Sequence, residues 1–241
     1  MKLPFNTRQF LDVFKSYNQA IWPLQLVFIL LAVITVCLVI WKPIISGKII
    51  PCILALLWMW MGGVYHLVFF STINEAANIF GLLFILQGIL FLRYAIIKSP
   101  AFELKKDIDG IAATALIIYS LVAYPAIGYY SGHGYPYSPT FGLPCPTTIF
   151  TFGLLLLTYK KCPVSILVIP FIWSVLGFSA AFHFGIVEDI WLLFSGLLTT
   201  SIFLFRKQSM DGSFIRETSI RSPSRFHTFH HFLHFTAGLY L

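Results

Sequence analysis

The chain has 241 residues, 58% of them hydrophobic and only 10% charged, with a formal net charge of +7. Soluble domains carry roughly 25% charged residues, so this composition excludes an ordinary soluble domain and indicates a membrane protein. Apolar stretches of about 20 residues can cross a bilayer as helices, and they recur along most of the chain.

Residues 6–20 read as an amphipathic helix. Asn6 and Gln9 have capping-box spacing, and Phe10, Phe14 and Tyr17 share one face. A helix lying on the membrane surface suits that pattern. Seven apolar segments follow, at 21–40, 49–70, 76–97, 111–130, 147–159, 164–184 and 190–205. The first is too long for a cleaved signal peptide and no small-residue cleavage site follows it, so it is expected to remain. No inverted repeat of the transporter kind is visible. The expected fold is all-α: an amphipathic segment 1–20, a membrane bundle of about seven transmembrane helices over 21–205, and a basic, His-rich tail over 206–241.

The charges suggest an orientation. Lys42, Lys48, Arg93, Lys98, Lys105, Lys106, Lys160, Lys161, Arg206, Lys207, Arg216, Arg221 and Arg225 fall in the connections after helices 1, 3 and 5 or in the tail; the connections after helices 2, 4 and 6 hold no Lys or Arg. Cytoplasmic loops are enriched in these residues, so the C-terminus is expected inside and the N-terminus outside. Lys2, Arg8 and Lys15 then lie on the outer side, against the trend. The basic residues 206–225 suit acidic lipid headgroups rather than nucleic acid.

The segment SGHGYPYSPTFGLPCPTTIF (131–150) interrupts the apolar pattern. The helix expected after it, from Thr147 to Tyr159, rises only about 20 Å against a core of roughly 30 Å. Residues 133–146 are therefore expected to dip into the outer leaflet as a partly re-entrant loop, shielded by helices or lining a wet cavity. Pro136, Pro139 and Pro144 lack amide donors, which lessens the number of groups to satisfy there. Cys145-Pro146-Thr147-Thr148 has the pattern of a helix start, where amides and the helix dipole favour a thiolate at Cys145.

Drawn this way, the unusual polar residues gather at one rim. His66, His133 and Cys145 are candidate metal ligands, for zinc or another transition metal. Glu188 and Asp189 are candidate catalytic groups. Tyr65, Asn74, Glu75, Tyr135 and Thr147 are candidate ligand contacts, and Gly62 and Gly63 leave room beside His66. Plainer readings stand beside these. Acidic residues near helix starts satisfy the dipole, His66 can hydrogen-bond a neighbouring backbone, and His183 can pack on the small-residue face of Gly177, Ala181 and Gly185. The proline-rich loop can be structural in a locally thinned bilayer. No HxxxH or CxxC spacing marks a metal site. In the tail, His227, His230, His231 and His234 would align on one helical face, to bind metal or rest on lipid.

At YHLVFFSTIN (65–74), GHGYPYSPTFGLPCPTTIFTFG (132–153) and GIVED (185–189), the chain resembles a family of bacterial integral membrane proteins of unknown function. The resemblance runs over most of 4–205. It implies a multi-pass bacterial inner-membrane protein, draws attention to His66, His133, Cys145, Glu188 and Asp189, and implies no activity.

The expected function is a metal-dependent membrane enzyme with an outward-facing polar pocket, acting on a lipid-like or small substrate, with Glu188 or Asp189 activating water. The alternatives are a transporter or channel for a small solute or metal ion, and a non-catalytic sensor or partner-binding protein. Against transport, Gln87 and scattered Ser and Thr are all that break the apolar middle of the bundle. Partners expected are membrane lipids and a small-molecule or metal ligand. No Gly-x-Ser-x-Gly elbow or nucleotide-binding loop is present.

Overall fold

A computed structural model describes residues 4–99, 101–132, 134–158 and 163–221. His133, Cys162 and the tail histidines lie outside the described residues. Residues 1–200 form one compact unit and 201–241 a second. The described secondary structure is helical, apart from the isolated bridges Phe102–Thr158 and Phe141–Leu143.

Six helices are long and apolar enough to cross a membrane: Leu24–Trp41, Ile44–Thr72, Ala77–Ile97, Ile108–Tyr130, Ser165–Phe184 and Val187–Arg206. The seventh expected segment is shorter, Pro144–Leu156. In chain order the helices are α1 (Thr7–Ala20), α2 (Leu24–Trp41), α3 (Pro43–Trp60), α4 (Ala77–Ile97), α5 (Ile108–Ile118), α6 (Tyr124–Tyr130), α7 (Pro144–Leu156), α8 (Ser165–Phe184) and α9 (Ile190–Arg221). The second apolar segment begins earlier than its composition suggested. Pro43 opens α3, so Lys48 lies inside that helix rather than in a connection. Arg93 likewise lies inside α4, one turn before its end, with its side chain exposed.

Two helical stretches widen into π-helix. α3 continues through Met61–Phe69, and α5 joins α6 through Tyr119–Ala123. Such turns shift every following side chain around the helix axis and are frequent at functional sites. The first carries Tyr65 and His66, and the second carries Tyr119.

Small residues set the close crossings. A Cβ on Gly62 would lie 2.6 Å from the Gly81 carbonyl oxygen, and one on Gly88 would lie 2.9 Å from that of Ala55. Backbone-to-backbone approach of this kind is how apolar helices pack without a hydrophobic driving force. The room expected beside His66 is thus filled, at Gly62, by α4, while Gly63 faces open space.

α7 is central. All 13 of its residues are buried, its three threonines included. Its length of about 20 Å leaves both ends to be completed by irregular chain. At its C-terminal end the Lys105 ammonium donates to the carbonyls of Leu156 and Thr158 at 2.8 and 2.9 Å, satisfying carbonyls that the helix leaves open. Ser46 anchors the same segment: Phe102 N donates to Ser46 Oγ at 2.9 Å, and Phe102 itself is fully buried. At the other end the helix begins at Pro144, with Leu143 as N-cap, three residues before the expected Thr147. Cys145 consequently sits inside the first turn rather than at the cap.

α1 has the expected capping box, with Gln9 N donating to Asn6 Oδ1 and Asn6 N to Gln9 Oε1, both at 2.9 Å. Its aromatic face does not rest on lipid. Phe10, Val13, Phe14 and Tyr17 are buried in one apolar cluster with Tyr65, Phe70, Leu143 and Phe184. Phe10 stacks on Phe184 with ring centroids 5.0 Å apart, and Tyr17 meets Tyr65 edge-on at 5.5 Å. Protein rings satisfy the face better than headgroups do, since burying each such side chain contributes about 1.5–3 kcal/mol.

Candidate functional site: a buried acid beneath an aromatic lid

The end of the bundle covered by α1 holds the buried residues His66, Glu188 and Asp189. α8 stops at Gly185, whose φ of 73° lies in the left-handed region that favours glycine. A short 3-10 turn, Val187–Asp189, then leads into α9. That turn carries Glu188 and Asp189 inward: Glu188 is fully buried and Asp189 is 2% exposed. An exposed dipole role at a helix start, the plainer reading of the sequence, does not describe them.

Asp189 is built into a network of uncharged donors. The Tyr124 hydroxyl donates to its Oδ1 at 2.5 Å, and the Cys145 thiol lies beside the same carboxyl group. Tyr119 donates to the backbone carbonyl of Glu188 at 2.7 Å. The buried Tyr65 phenol shares this neighbourhood with Cys145 and Asp189. Trp173 Nε1 lies beside Cys145 without completing a regular hydrogen bond.

His66 is next to this group, across Trp173. Its imidazole is fully buried and ringed by Phe84, Trp173, Tyr65 and Phe80, with centroids at 4.6, 5.0, 5.1 and 6.0 Å. Neither ring nitrogen has a hydrogen-bond partner among the described residues. A neighbouring backbone group, the plain expectation, does not serve it. Among the described residues no three His, Cys, Asp or Glu side chains gather to hold a metal ion.

The 134–143 segment closes one wall. Asn18, fully buried at the end of α1, donates from Nδ2 to the carbonyls of Pro136 and Ser138 at 2.8 and 2.9 Å and accepts from Thr140 Oγ1 at 2.7 Å. Gly142 N donates to Thr147 Oγ1 at 3.0 Å, which ties the loop to the first turns of α7. Trp60 Nε1 donates to the Tyr17 hydroxyl at 2.9 Å, fixing the lid helix to α3. Burial pushes the Tyr17 phenol above the ordinary tyrosine range. Outside the lid, Lys15 meets the face of Tyr137 at 5.1 Å, and this contact raises its ammonium pKa.

Of the remaining expected residues, Asn74 Oδ1 accepts from Ala76 N at 3.1 Å in the turn before α4 and Glu75 is exposed in that turn, whereas Tyr135, 54% exposed in the 134–143 segment, donates to the Asn18 carbonyl at 3.4 Å. His183 is exposed and touches Phe184 edge-on, away from the buried Ala181 face. Asn18, Tyr119, Tyr124 and Trp173 were not singled out from the sequence, and Tyr17 was named only as part of the amphipathic face of residues 6–20. A signal existed for Asn18, which follows Tyr17 on the amphipathic helix at the edge of its aromatic face.

Residues 7–213 match the family described as a family of unknown function, DUF6064. The chain belongs to that family. The matched span includes α1, both π-helical stretches, the 134–143 loop and the turn bearing Glu188 and Asp189. Comparison with the curated proteins and with the solved structures finds no match.

Proposed function

We propose that this DUF6064 protein is a solute-binding protein of the bacterial inner membrane, with seven crossings, the N-terminus outside and the C-terminus cytoplasmic. Its ligand site lies at the outer end, under α1. The seventh crossing is α7, with the 134–143 segment re-entrant from the outside. This reading is supported by the two ends of α7: one adjoins Asp189 and Tyr65, and the other is capped by Lys105 from a Lys-bearing connection. The irregular chain at each end makes up the length that the helix lacks.

One observation carries the binding reading. Among the described residues, His66 has two unpartnered nitrogens and Trp173 an unpartnered indole N–H, both buried beside the Cys145–Asp189–Tyr124 group. Buried polar atoms are normally hydrogen-bonded, and exceptions call for an explanation. A small, flat, partly apolar solute with hydrogen-bonding edges fits: the rings of Tyr65, Phe84 and Trp173 supply its walls, and Asp189 supplies an acceptor. Ionisable groups inside a membrane bundle mark ligand or proton sites. The metal-dependent enzyme expected from the sequence draws no support from this arrangement, because among the described residues aromatic rings surround His66 and no group of potential metal ligands gathers.

The test is a thermal-stability screen of the detergent-purified protein against amines, amino acids, nucleobases and aromatic acids, with zinc as a separate arm. A solute that raises the melting temperature of the wild type, but not of His66→Ala or Asp189→Asn, supports the reading. Stabilisation by zinc alone, lost in the same variants, would restore the metal reading. A panel without effect on a folded protein would count against the solute site.

A further inference from the structure

Two cations stand on membrane-length helices where the sequence suggested connections. Lys48 on α3 and Arg93 on α4 are both exposed, and both helices are long and apolar enough to cross a membrane. Lys48 lies five residues after Pro43 and Arg93 four before Ile97, so each sits about 6–8 Å inside its helix end. Ionisable side chains within membrane helices almost always face the bundle interior, so two on the outer surface call for a partner.

The packing of α3 against α4 brings the pair together. The close approaches of Gly62 to Gly81 and of Ala55 to Gly88, seven residues apart on each helix, fix an antiparallel register. Seven residues further, that register sets Lys48 opposite Ala95, with Arg93 opposite Ile50; Ile50 and Ala95 are both buried, as the contact requires. The two cations therefore differ in depth by only about 3 Å. They also share a side. The inner faces of the two helices meet through Trp58, which stacks on Phe84 at 4.6 Å and approaches Phe91 at 6.2 Å. Lys48 and Arg93 instead continue the exposed stripes of Cys52 and Leu56 on α3 and of Leu86 and Ile89 on α4.

Nothing on these helices balances the charge. No Asp or Glu occurs in α2, α3 or α4, and neither cation has an ion-pair partner among the described residues. Ser46, turned about 160° from Lys48 around α3, binds Phe102, so the connection carrying Glu103 joins that helix on its other side. The two side chains also leave their helices differently. A Cβ tilts toward the helix N-terminus, which takes Lys48 toward the near interface and Arg93 toward the bilayer middle. Lys48 reaches headgroups by snorkelling; Arg93 needs an anion brought to it.

We propose that Lys48 and Arg93 together bind the phosphate of one acidic phospholipid, drawn slightly below headgroup level, with its acyl chains along Leu56, Leu86 and Ile89. The guanidinium takes two phosphate oxygens at once and the ammonium adds a point charge. Basic sites between membrane helices recognise acidic headgroups in this way. A lipid suits the pair better than a free anion because the surface around it is apolar and faces hydrocarbon. The site shares no residue with the solute site and holds whichever end of the bundle faces outward.

The full chain, purified in detergent, is titrated with phosphatidylglycerol or with phosphatidylethanolamine of the same acyl chains, and native mass spectrometry counts the bound lipid. Wild type is expected to hold one phosphatidylglycerol about tenfold more tightly than phosphatidylethanolamine. Arg93→Gln should weaken that binding about tenfold and Lys48→Gln about fivefold. Arg93→Lys, which keeps the charge and loses the fork, should fall between wild type and Arg93→Gln. Lys106→Gln, an exposed site in the connection before α5, should stay within about twofold of wild type. Melting curves like that of the wild type establish that each variant is folded. Equal binding of the two lipids by wild type would overturn the proposal, as would equal losses in Lys106→Gln and Arg93→Gln, the mark of diffuse attraction. Displacement of the lipid by excess inorganic phosphate would overturn its assignment to a phospholipid.

Discussion

Replacing Asn18 tests whether the lid and the loop are one device. Its side chain makes three hydrogen bonds to the 134–143 segment, two donated to carbonyls and one accepted from Thr140. Each is worth about 0.5–1.5 kcal/mol net, and a buried group left unpaired costs about 1–3 kcal/mol. The contacts are only partly buried on the loop side, so water recovers some of the loss. Asn18→Ala is then expected to destabilise by about 2–4 kcal/mol. Asn18→Asp is the sharper variant. It keeps the shape but turns an acceptor toward the Pro136 and Ser138 carbonyls, so it should be at least as damaging as alanine. Reversible unfolding in mild detergent titrated with dodecyl sulfate, followed by circular dichroism, measures both. If both variants fell within about 0.5 kcal/mol of wild type, the range of a neutral surface change, the clamp would have no energetic role.

Other outcomes follow from single contacts. Gly142 has φ of 99° and a Cβ there would lie 2.3 Å from the Phe28 ring; Gly142→Ala should therefore cost about 2–6 kcal/mol from backbone strain and overpacking together, seen in the same unfolding assay. Tyr124→Phe removes the 2.5 Å bond to Asp189 and is expected to lower stability by about 1.5–3 kcal/mol, where an unchanged melting curve would mean that the bond is not formed. Lys105→Met strips the two bonds that cap α7 and should cost about 1–3 kcal/mol, with no change in access to Cys145 from outside. The buried Tyr17 phenol has a raised pKa, so its contribution is fully present below the unfolded value of about 10 and is lost as pH climbs above it. Wild type should therefore lose melting temperature more steeply than Tyr17→Phe between about pH 10 and 11.5.

The helical class, the membrane character and most element positions were legible in the sequence because apolar length and basic punctuation report directly on burial in lipid. The start of α3 was misread: Lys48 looks like a loop residue, but a long side chain on an exposed helical face keeps its charge outward. The face of α1 was read correctly and its partner was not, because amphipathic periodicity says that a face is buried without saying in what. The rim residues divided for a similar reason. His66, Cys145, Glu188 and Asp189 are buried on three different elements, whereas Asn74 and Glu75, equally polar, build a local turn. The π-helical stretches that aim Tyr65, His66 and Tyr119 inward have no sequence period of their own. Without them, Trp173 and Tyr124 had no visible partners.

The central claim is that Cys145 and Asp189 lie in a site reached from outside by movement of α1. Reaction of Cys145 with a membrane-impermeant thiol reagent, in a variant lacking Cys37, Cys52 and Cys162, tests it most directly. Slow labelling from the outer side, accelerated at least tenfold by Phe14→Ala, is the expected result. Labelling only from the cytoplasmic side, or at an outer rate indifferent to α1, would contradict the lidded outer site.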